Sequence, residues 1–284
     1  MAIRLIFLDI DGTLTNSKKE ITPKTLQALL QAEQQGVRLV LASGRPAKGL
    51  EKFSDLLQME KYEGYFVCNN GSMIKDAKTQ EVLFNQPMSV EETRSVLRHL
   101  KNFPEVRAMI EDGDYMLVEN VYHNYITLNG KPFNCMDYEA HSNHFLLHEE
   151  RDLSAYVNFP VNKILTFSDP EYLQAHHTEM AAPFKDTLSC MFTSAFYFEY
   201  TARGIDKAKS IETVFTKLGY TPEEMIAFGD GQNDAGMLKY CGIGVAMGNA
   251  IDEVKAIADE VTLSNEEDGI AHTLMKYIPG LKVV

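Results

Sequence analysis

Two aspartates follow a short apolar run near the start of the chain. Residues 3–8 have the composition of a strand that is buried on both faces, and Asp9 and Asp11 come directly after them. Residues two apart point to the same side of an extended chain, and Gly12 permits a sharp turn. This spacing predicts two carboxylates in one site at the carboxyl end of a strand, where open α/β sheets bind ligands. A simple Asp-Gly turn is the alternative explanation.

A second group of polar residues follows another apolar run, residues 225–228. Asp230, Asn233 and Asp234 lie close together there and supply two carboxylates and an amide. Oxygen ligands of this kind suit a hard divalent cation. A polar turn that caps the next helix explains the segment equally well when it is taken alone.

Two weaker signals are a hydroxyl group and an ammonium group. Ser43 and Gly44 follow the apolar residues 37–42 and offer a hydroxyl and backbone N–H groups near a helix start, which suits an anion. Lys207 stands at the start of a predicted helix, where a single Lys is more often a surface residue. Neither signal identifies a site by itself.

The balance of charge joins these four motifs into one predicted site. Ionised carboxylates that share a site raise each other's pKa and oppose folding, and the carboxylates concerned are Asp9, Asp11, Asp230 and Asp234. A bound Mg²⁺ would compensate them, with Lys207 as a second positive charge. A carboxylate nucleophile beside a cation, a Lys and a Ser is equipped for phosphoryl transfer.

Strand and helix signals alternate around these motifs. Apolar runs of strand length occur at residues 3–8, 37–42, 65–68, 225–228 and 243–247. Thr22 and Pro23 start a helix between the first two runs. This order with short links predicts parallel strands and right-handed crossovers, that is, an α/β fold with a doubly wound, Rossmann-like sheet.

The middle of the chain has a different pattern. Ser89 and Glu92 form a capping box that begins a helix. Runs rich in Tyr, Val, Phe and Thr follow at residues 106–110, 115–119, 125–128 and 162–167, with a hairpin-turn signal at Asp112-Gly113. We expect an α+β domain inserted into the α/β core. The predicted boundaries are 1–84 for the first core segment, 85–188 for the insert and 189–284 for the second core segment.

Composition restricts the class of protein. The 284 residues are 45% hydrophobic and 24% charged, as in an ordinary globular protein, with a formal charge of −13. This acidity predicts no nucleic-acid or anionic-lipid partner. The run at residues 3–8 is too short for a membrane span or a signal peptide. Four scattered cysteines favour a reduced, cytoplasmic protein over a zinc or redox site.

In their order along the chain, the motifs resemble those of the haloacid dehalogenase superfamily. The closest pattern is the Cof-type phosphatase branch with an α/β cap of type IIB. The matching motifs are residues 9–14 (DIDGTL), Ser43-Gly44-Arg45, Lys207 and residues 229–234 (GDGQND), and branch-like segments are Asn70-Gly71, residues 246–250 (AMGNA) and residues 265–269 (NEEDG). Ala208 departs from the Gly that relatives often have. The resemblance covers both core segments; the cap matches only in position and size.

The resemblance implies a mechanism that is also chemically sensible. Asp9 would attack phosphorus and form an aspartyl-phosphate. Asp11 would protonate the leaving oxygen and later deprotonate the attacking water, and repulsion from Asp9 would keep Asp11 protonated for the first step. Mg²⁺ would be bound by the Asp9 carboxylate, the Asp11 carbonyl and Asp230, while Asp234 would support the metal waters and Lys207.

The remaining motif residues are assigned to the phosphoryl group by the same resemblance. Ser43, with Gly44, and Lys207 would bind the phosphoryl oxygens where charge develops. Asn233 would be a further contact to phosphate or substrate. The insert would be a hinged cap that excludes water and selects the substrate, with hinges near residues 85–87 and 189–194.

The expected partner is a small phosphorylated metabolite. Hexose phosphates fit the resemblance, and flavin or pyridoxal phosphates stay open. A sugar phosphomutase and a non-catalytic sensor of phosphorylated ligands are the alternatives, although binding alone requires neither Asp9 nor Asp11. We expect a monomer or a small homo-oligomer.

Two other patterns have non-catalytic explanations that we favour. His141, His144 and His148 could align on one helix face as zinc ligands, but we favour a solvated or substrate-facing helix. The aromatic residues 196–200 are predicted to be a strand that re-enters the main sheet rather than a platform for stacked bases.

Overall fold

The computed structural model of the chain describes residues 2–283. Its strands are β1 (Leu5–Leu8), β2 (Arg38–Ala42), β3 (Tyr65–Cys68), β4 (Met73–Asp76), β5 (Val82–Asn85), β6 (Arg107–Asp112), β7 (Tyr115–Val118), β8 (Tyr125–Leu128), β9 (Lys131–Asn134), β10 (Leu146–Glu149), β11 (Lys163–Phe167), β12 (Leu188–Ser194), β13 (Tyr197–Ala202), β14 (Met225–Gly229), β15 (Ile243–Ala246) and β16 (Glu260–Val261). Its α-helices are α1 (Pro23–Gln34), α2 (Glu51–Leu56), α3 (Met59–Tyr62), α4 (Val90–Leu100), α5 (Cys135–Asn143), α6 (Leu153–Tyr156), α7 (Pro170–Ala181), α8 (Lys207–Lys217), α9 (Ala235–Tyr240), α10 (Asp252–Lys255) and α11 (Gly269–Tyr277). Short 3₁₀ turns lie at Ala47–Leu50, Asn69–Gly71, Pro222–Glu224 and Gln232–Asp234. None of the helices within residues 2–283 is long and apolar enough to cross a membrane.

The chain forms two compact units, and the second is inserted into the first. The first unit runs up to Asn85 and resumes at Asp206, and the second is Gln86–Ile205. The insert therefore ends at Ile205, well beyond the predicted boundary between residues 188 and 189. The reason is that β12 pairs with β13, and β13 pairs with β11, so these strands complete the sheet of the insert.

The same strand pairing overturns two further expectations. The aromatic residues 196–200 lie in β13 and at its start, in the sheet of the insert and not in the main sheet. Residues 189–194, where we expected a hinge, lie within β12 and are hydrogen-bonded to β13. Strands in both sheets are rich in apolar and aromatic residues, so the pattern alone does not say which sheet a strand joins.

The first unit contains an eight-stranded sheet with the order β16-β15-β14-β1-β2-β3-β4-β5. The strands from β16 to β3 are parallel, and β4 and β5 extend the sheet as an antiparallel pair. From β1 the chain proceeds outward to β2 and β3, whereas from β14 it proceeds in the opposite direction to β15 and β16. The strand order thus reverses between β1 and β14, which is the position where doubly wound sheets bind ligands.

The centre of this sheet is buried on both faces, as the apolar runs predict. All four residues of β1 are 0% exposed. Phe215 of α8 packs edge-on against Phe7 and Tyr65, with ring centroids 5.1 and 5.2 Å away. This packing gives the carboxyl ends of the strands a rigid base, so residues that directly follow β1 and β14 have defined positions.

The insert has a six-stranded sheet with the order β10-β7-β6-β11-β13-β12 and a separate hairpin of β8 and β9. The predicted turn at Asp112-Gly113 is confirmed, because β6 and β7 pair across it. The capping box is confirmed as well. The Ser89 side chain accepts a hydrogen bond from the Glu92 backbone amide, and the Glu92 side chain accepts one from the Ser89 backbone amide.

The three histidines of the insert do not share a helix face. His141 lies in α5, His144 follows the helix in a left-handed conformation, and His148 lies in β10. The helix expected through these residues ends before His144. Within the part of the chain that the structure describes, no histidine belongs to a cluster with metal-binding geometry.

One carboxylic acid is buried in the core without an obvious function. Glu33 of α1 is 2% exposed, and neither oxygen of its carboxyl group has a hydrogen-bond partner within residues 2–283. Burial raises the pKa of Glu33 to about 8, against a smaller lowering by Lys61. Protons therefore bind the folded state more tightly than the unfolded chain, whose ordinary Glu pKa is about 4.5.

This burial predicts a pH dependence of stability. The contribution of Glu33 is most favourable below about pH 4.5 and is lost as the pH rises towards 8, because only the unfolded chain then gains a solvated carboxylate. The loss amounts to about 3 kcal/mol at pH 7. In Glu33→Gln, the free energy of unfolding in urea should fall less between pH 5 and pH 8 than in the wild type. Glu60→Gln, at an exposed position of α3, is the control; equal slopes for all three proteins would contradict the prediction.

Candidate active site

Neighbouring strands bring the first and last aspartate motifs together. Leu8 of β1 pairs with Phe228 of β14, and the Asp9 amide donates a hydrogen bond to the Phe228 carbonyl. After β14 the chain turns through Gln232–Asp234, which brings Asp234 back towards the strand. As a result, oxygen atoms of Asp9, Asp230 and Asp234 lie within 4.8 Å of one another. This is the convergence that the sequence predicts for three of its four aspartates.

Lys207 binds two of the three carboxylates of this acidic cluster. Its ammonium nitrogen lies 2.9 Å from Asp9 Oδ1, 2.6 Å from Asp234 Oδ1 and 2.9 Å from the Ala42 carbonyl. All three of its protons are therefore used, and the side chain is 1% exposed. Although burial lowers the pKa of Lys207, Asp234 and Asp9 raise it above its ordinary value. A Lys at the first turn of α8 is thus a buried cation and not a surface residue.

One cation does not neutralise three carboxylates. Burial, followed by the charge of Asp234, raises the pKa of Asp9 well above its ordinary value, although Lys207 lowers it. Burial also raises the pKa of Asp230, although the hydrogen bond that Thr13 Oγ1 donates to Asp230 Oδ1 at 2.6 Å lowers it. The cluster therefore carries an excess of negative charge and favours an additional positive charge.

The donor set of this cluster fits a hard divalent cation. Asp9, Asp230 and Asp234 offer carboxylate oxygens at mutually short distances, with no sulfur or imidazole among them. Oxygen-only sites of this kind select Mg²⁺, Ca²⁺ or Mn²⁺ over zinc or copper. Asp234 is itself anchored, since its Oδ2 accepts hydrogen bonds from the Asp230 and Gly231 amides.

Asp11 does not join the acidic cluster with its side chain. Arg45 binds its carboxylate with two hydrogen bonds of 2.7 and 2.9 Å, and Lys19 Nζ lies 2.6 Å from Asp11 Oδ1. Burial raises the pKa of Asp11, but hydrogen bonds and charge from Arg45 and Lys19 outweigh it and lower the pKa to about 2. The expectation that repulsion from Asp9 keeps Asp11 protonated is therefore wrong for this arrangement.

The geometry of the turn explains why Asp9 and Asp11 diverge. The strand ends at Leu8, and the Leu14 and Thr15 amides donate to the carbonyls of Asp9 and Ile10, so the chain is no longer extended at Asp11. Gly12 has φ +89°, and a Cβ there would lie 2.4 Å from Asp230 Oδ2. Residues two apart share a face only in an extended strand, a condition that fails here.

The remaining predicted residues follow strands that end at the same carboxyl edge of the sheet. Ser43 follows β2 and is 3% exposed, and its Oγ accepts a hydrogen bond from the Arg45 amide. Gly44 lies close to Asn70, because a Cβ there would be 3.2 Å from the Asn70 amide group. Asn233 Nδ2 donates to Asn70 Oδ1 at 3.1 Å. Ser43, Gly44 and Asn233 are thus held on the same side of the sheet as the cluster.

Several supporting residues were not assigned a role from the sequence. Asn249 Nδ2 donates to the Gly12 carbonyl at 2.7 Å, and Asn265 Nδ2 donates to the Thr15 carbonyl at 2.8 Å. The Asn265 amide also donates to Asn249 Oδ1, so the two residues form one brace for the loop after β1. Both lie in the segments that resemble the Cof-type branch, which was the available signal. Lys19 offered no signal of its own.

The central position of Lys207 predicts a large effect on stability. Lys207→Met keeps the side-chain size but leaves Asp9 and Asp234 buried without their cation, which should cost about 3–5 kcal/mol in buffer free of divalent cations. Lys209→Met alters an exposed position of the same helix and should cost less than about 0.5 kcal/mol. Urea unfolding of both variants is the measurement. Similar losses for the two would show that the buried ion pairs are not what Lys207 contributes.

Comparisons with known proteins identify the family of this chain. The family model described as haloacid dehalogenase-like hydrolase matches residues 6–274. The 5-amino-6-(5-phospho-D-ribitylamino)uracil phosphatase YcsE of Bacillus subtilis is 30% identical over 276 residues, which are 97% of this chain and 96% of that protein. A haloacid dehalogenase-like hydrolase from Bacteroides thetaiotaomicron superposes with a TM-score of 0.88 at 34% identity, covering 96% of this chain and 99% of its own. The subclass IIB sugar phosphatase BT4131 superposes with a TM-score of 0.76 at 26% identity, covering 96% and 98%. The chain therefore belongs to the haloacid dehalogenase-like hydrolase family and is a phosphatase.

Proposed function

We propose that this protein is a Mg²⁺-dependent phosphatase that hydrolyses small phosphorylated metabolites through an aspartyl-phosphate. The observation that carries the proposal is the buried Asp9 carboxylate, which Lys207 contacts at 2.9 Å and which lies within 4.8 Å of Asp230 and Asp234. A carboxylate that is desolvated, oriented by a cation and placed beside two metal-binding carboxylates is suited to attack phosphorus.

In this proposal each residue of the cluster has a defined task. Asp9 is the nucleophile, and Asp9, Asp230 and the Asp11 carbonyl would hold the metal ion, which would neutralise charge on the phosphoryl oxygens. Asp234 holds Lys207 and the backbone at Asp230. Lys207 orients Asp9. As Asp9 forms its bond to phosphorus, the Lys207 ammonium group donates hydrogen bonds to the phosphoryl oxygens instead.

The phosphoryl group and the leaving group have further partners. Ser43, with the backbone at Gly44, and Asn233 would donate to phosphoryl oxygens from the neighbouring strand ends. Asp11 would act as the acid and then the base. Because Arg45 and Lys19 hold its carboxylate in the structure, that task requires Asp11 to exchange these partners when substrate binds.

The substrate class is proposed from the relatives. YcsE is named for a substrate with a phosphorylated ribityl group, and BT4131 is described as a sugar phosphatase. Phosphorylated sugars and sugar alcohols are therefore the first candidates for this chain. The unit Gln86–Ile205 would be the cap that selects among them. None of the four cysteines forms a disulfide, which supports activity in the reducing cytoplasm.

The proposal predicts metal-dependent release of inorganic phosphate. A panel of phosphorylated metabolites should give turnover with Mg²⁺ and none after addition of a chelator. Asp9→Asn should lower kcat to below about one thousandth, because the amide is a poor nucleophile, while circular dichroism stays unchanged. Asp55→Asn, an exposed position of α2, is the matched control.

Each alternative has its own outcome in that experiment. Normal turnover by Asp9→Asn would rule out the aspartyl-phosphate. Isomerisation of a sugar phosphate without phosphate release would indicate a phosphomutase. Binding of sugar phosphates without any Mg²⁺-dependent turnover would indicate a sensor.

Metal binding predicts an increase in thermal stability, which can be measured without any turnover. Mg²⁺ at about one hundred times its dissociation constant should stabilise the wild type by about 2.7 kcal/mol, which raises Tm by a few degrees. Asp230→Asn removes one of the three clustered carboxylates and should abolish most of this shift. Asp252→Asn, exposed in the first turn of α10, should leave it intact. Equal shifts in all three proteins would place the ion elsewhere.

A further inference from the structure

A second cluster of charges surrounds Asp11 and has the opposite sign to the acidic cluster. Arg45 and Lys19 both bind the Asp11 carboxylate, at 2.7 and 2.6 Å. The side chain of Arg45 is 14% exposed and that of Lys19 is 49% exposed. One carboxylate thus accepts hydrogen bonds from two cations at the carboxyl end of the sheet.

Lys52 adds a third positive charge to this group. Its ammonium nitrogen lies 4.7 Å from the centre of the Phe53 ring, and the Arg45 guanidinium lies 5.9 Å from the same ring. Phe53 is 1% exposed and therefore fixed in the core. Burial and then the charge of Arg45 lower the pKa of Lys52, Asp11 raises it, and Lys19 lowers it by a smaller amount. Lys52 is therefore within electrostatic reach of both other cations and of Asp11. Together with Asp11, these side chains carry an excess of two positive charges.

This excess is unused by the proposed chemistry at Asp9. The nucleophile, the metal carboxylates and Lys207 form their own cluster, which carries excess negative charge. Asp11 is the group that would protonate the leaving oxygen, so cations that contact Asp11 are near the leaving group rather than the transferred phosphoryl group. The planar guanidinium of Arg45 already binds a carboxylate with two hydrogen bonds, a geometry that carboxylates and phosphates both match.

We propose that Lys19, Arg45 and Lys52 form an anion subsite for a second negatively charged group on the leaving group of the substrate. The inference rests on the proposed function and narrows its substrate class to phosphate esters that also carry a carboxylate or a second phosphate. On binding, this group takes the place of the Asp11 carboxylate on Arg45 and Lys19. Asp11 is thereby released towards the leaving oxygen.

The test uses three esters with the same carbon skeleton and the full-length enzyme with Mg²⁺. Glucose 6-phosphate lacks a second anion, 6-phosphogluconate carries a carboxylate, and glucose 1,6-bisphosphate carries a second phosphate. We expect kcat/KM for at least one of the two anionic esters to exceed that for glucose 6-phosphate by tenfold or more, as for one charge-assisted contact. Which of the two is preferred identifies the anion.

Two variants connect this preference to the subsite. Lys52→Gln should reduce the ratio of kcat/KM between the anionic ester and glucose 6-phosphate about tenfold. Lys61→Gln is the matched control, because the Lys61 ammonium also lies over an aromatic ring, 4.5 Å from the centre of Tyr62, but outside the subsite. Equal rates for all three esters, or equal effects of the two variants, would overturn the inference.

The outcomes separate this inference from the proposed function. Asp9-dependent turnover of glucose 6-phosphate without a preference for either anionic ester overturns the subsite and leaves the phosphatase intact. The proposed function fails only if neither these three esters nor any ester of the metabolite panel is hydrolysed. If these three esters are not hydrolysed, calorimetric binding of 6-phosphogluconate and glucose 1,6-bisphosphate to the wild type and to Lys52→Gln decides the subsite separately. About tenfold weaker binding of either anion to Lys52→Gln supports it, and equal binding of both overturns it.

Discussion

The ion pairs of Lys207 with Asp9 and Asp234 are the interaction on which the site depends. Asp9 and Asp234 are 6% and 1% exposed, a burial that two carboxylates tolerate only with a compensating charge. Lys207 provides that charge and also bonds to the Ala42 carbonyl, so it connects the ends of β1 and β2 with the loop after β14. The position of the Asp9 carboxylate is therefore set by electrostatics as much as by the turn in which it lies.

The parallel core and three of the four aspartates could be predicted because local pattern and global topology agree there. Apolar runs such as Leu5–Leu8 and Tyr65–Cys68 are buried strands, and each is followed directly by polar residues. Since parallel strands end at one edge, residues more than 200 positions apart meet without any need to know the connections. The start of α1 at Pro23 and the capping box of α4 were readable for the same local reasons.

Two features could not be predicted from the sequence, because each depends on which of two similar partners is chosen: the sheet that β13 joins and the charged group that Asp11 contacts. Strand β13 is rich in aromatic residues and as buried as a core strand, and only its pairing with β11 and β12 assigns it to the insert. Asp11 could face either Asp9 or Arg45, and the end of the strand at Leu8 decides in favour of Arg45. The two-residue repeat of side-chain direction holds only within a strand, so it does not predict where a side chain points after the strand has ended. As a result, two carboxylates two residues apart lie in environments of opposite sign.

The brace formed by Asn249 and Asn265 has a consequence for how the protein is made. The side chains that hold the carbonyls of the loop after β1 are translated more than 230 residues after that loop. Domains generally fold as units during synthesis, and the insert Gln86–Ile205 is complete while β14 and its loop are still untranslated. A nascent chain that ends with the insert therefore has Asp9 without Lys207, without the second pair of carboxylates and without the brace. The full set of these contacts therefore forms only after Asn265 has been translated.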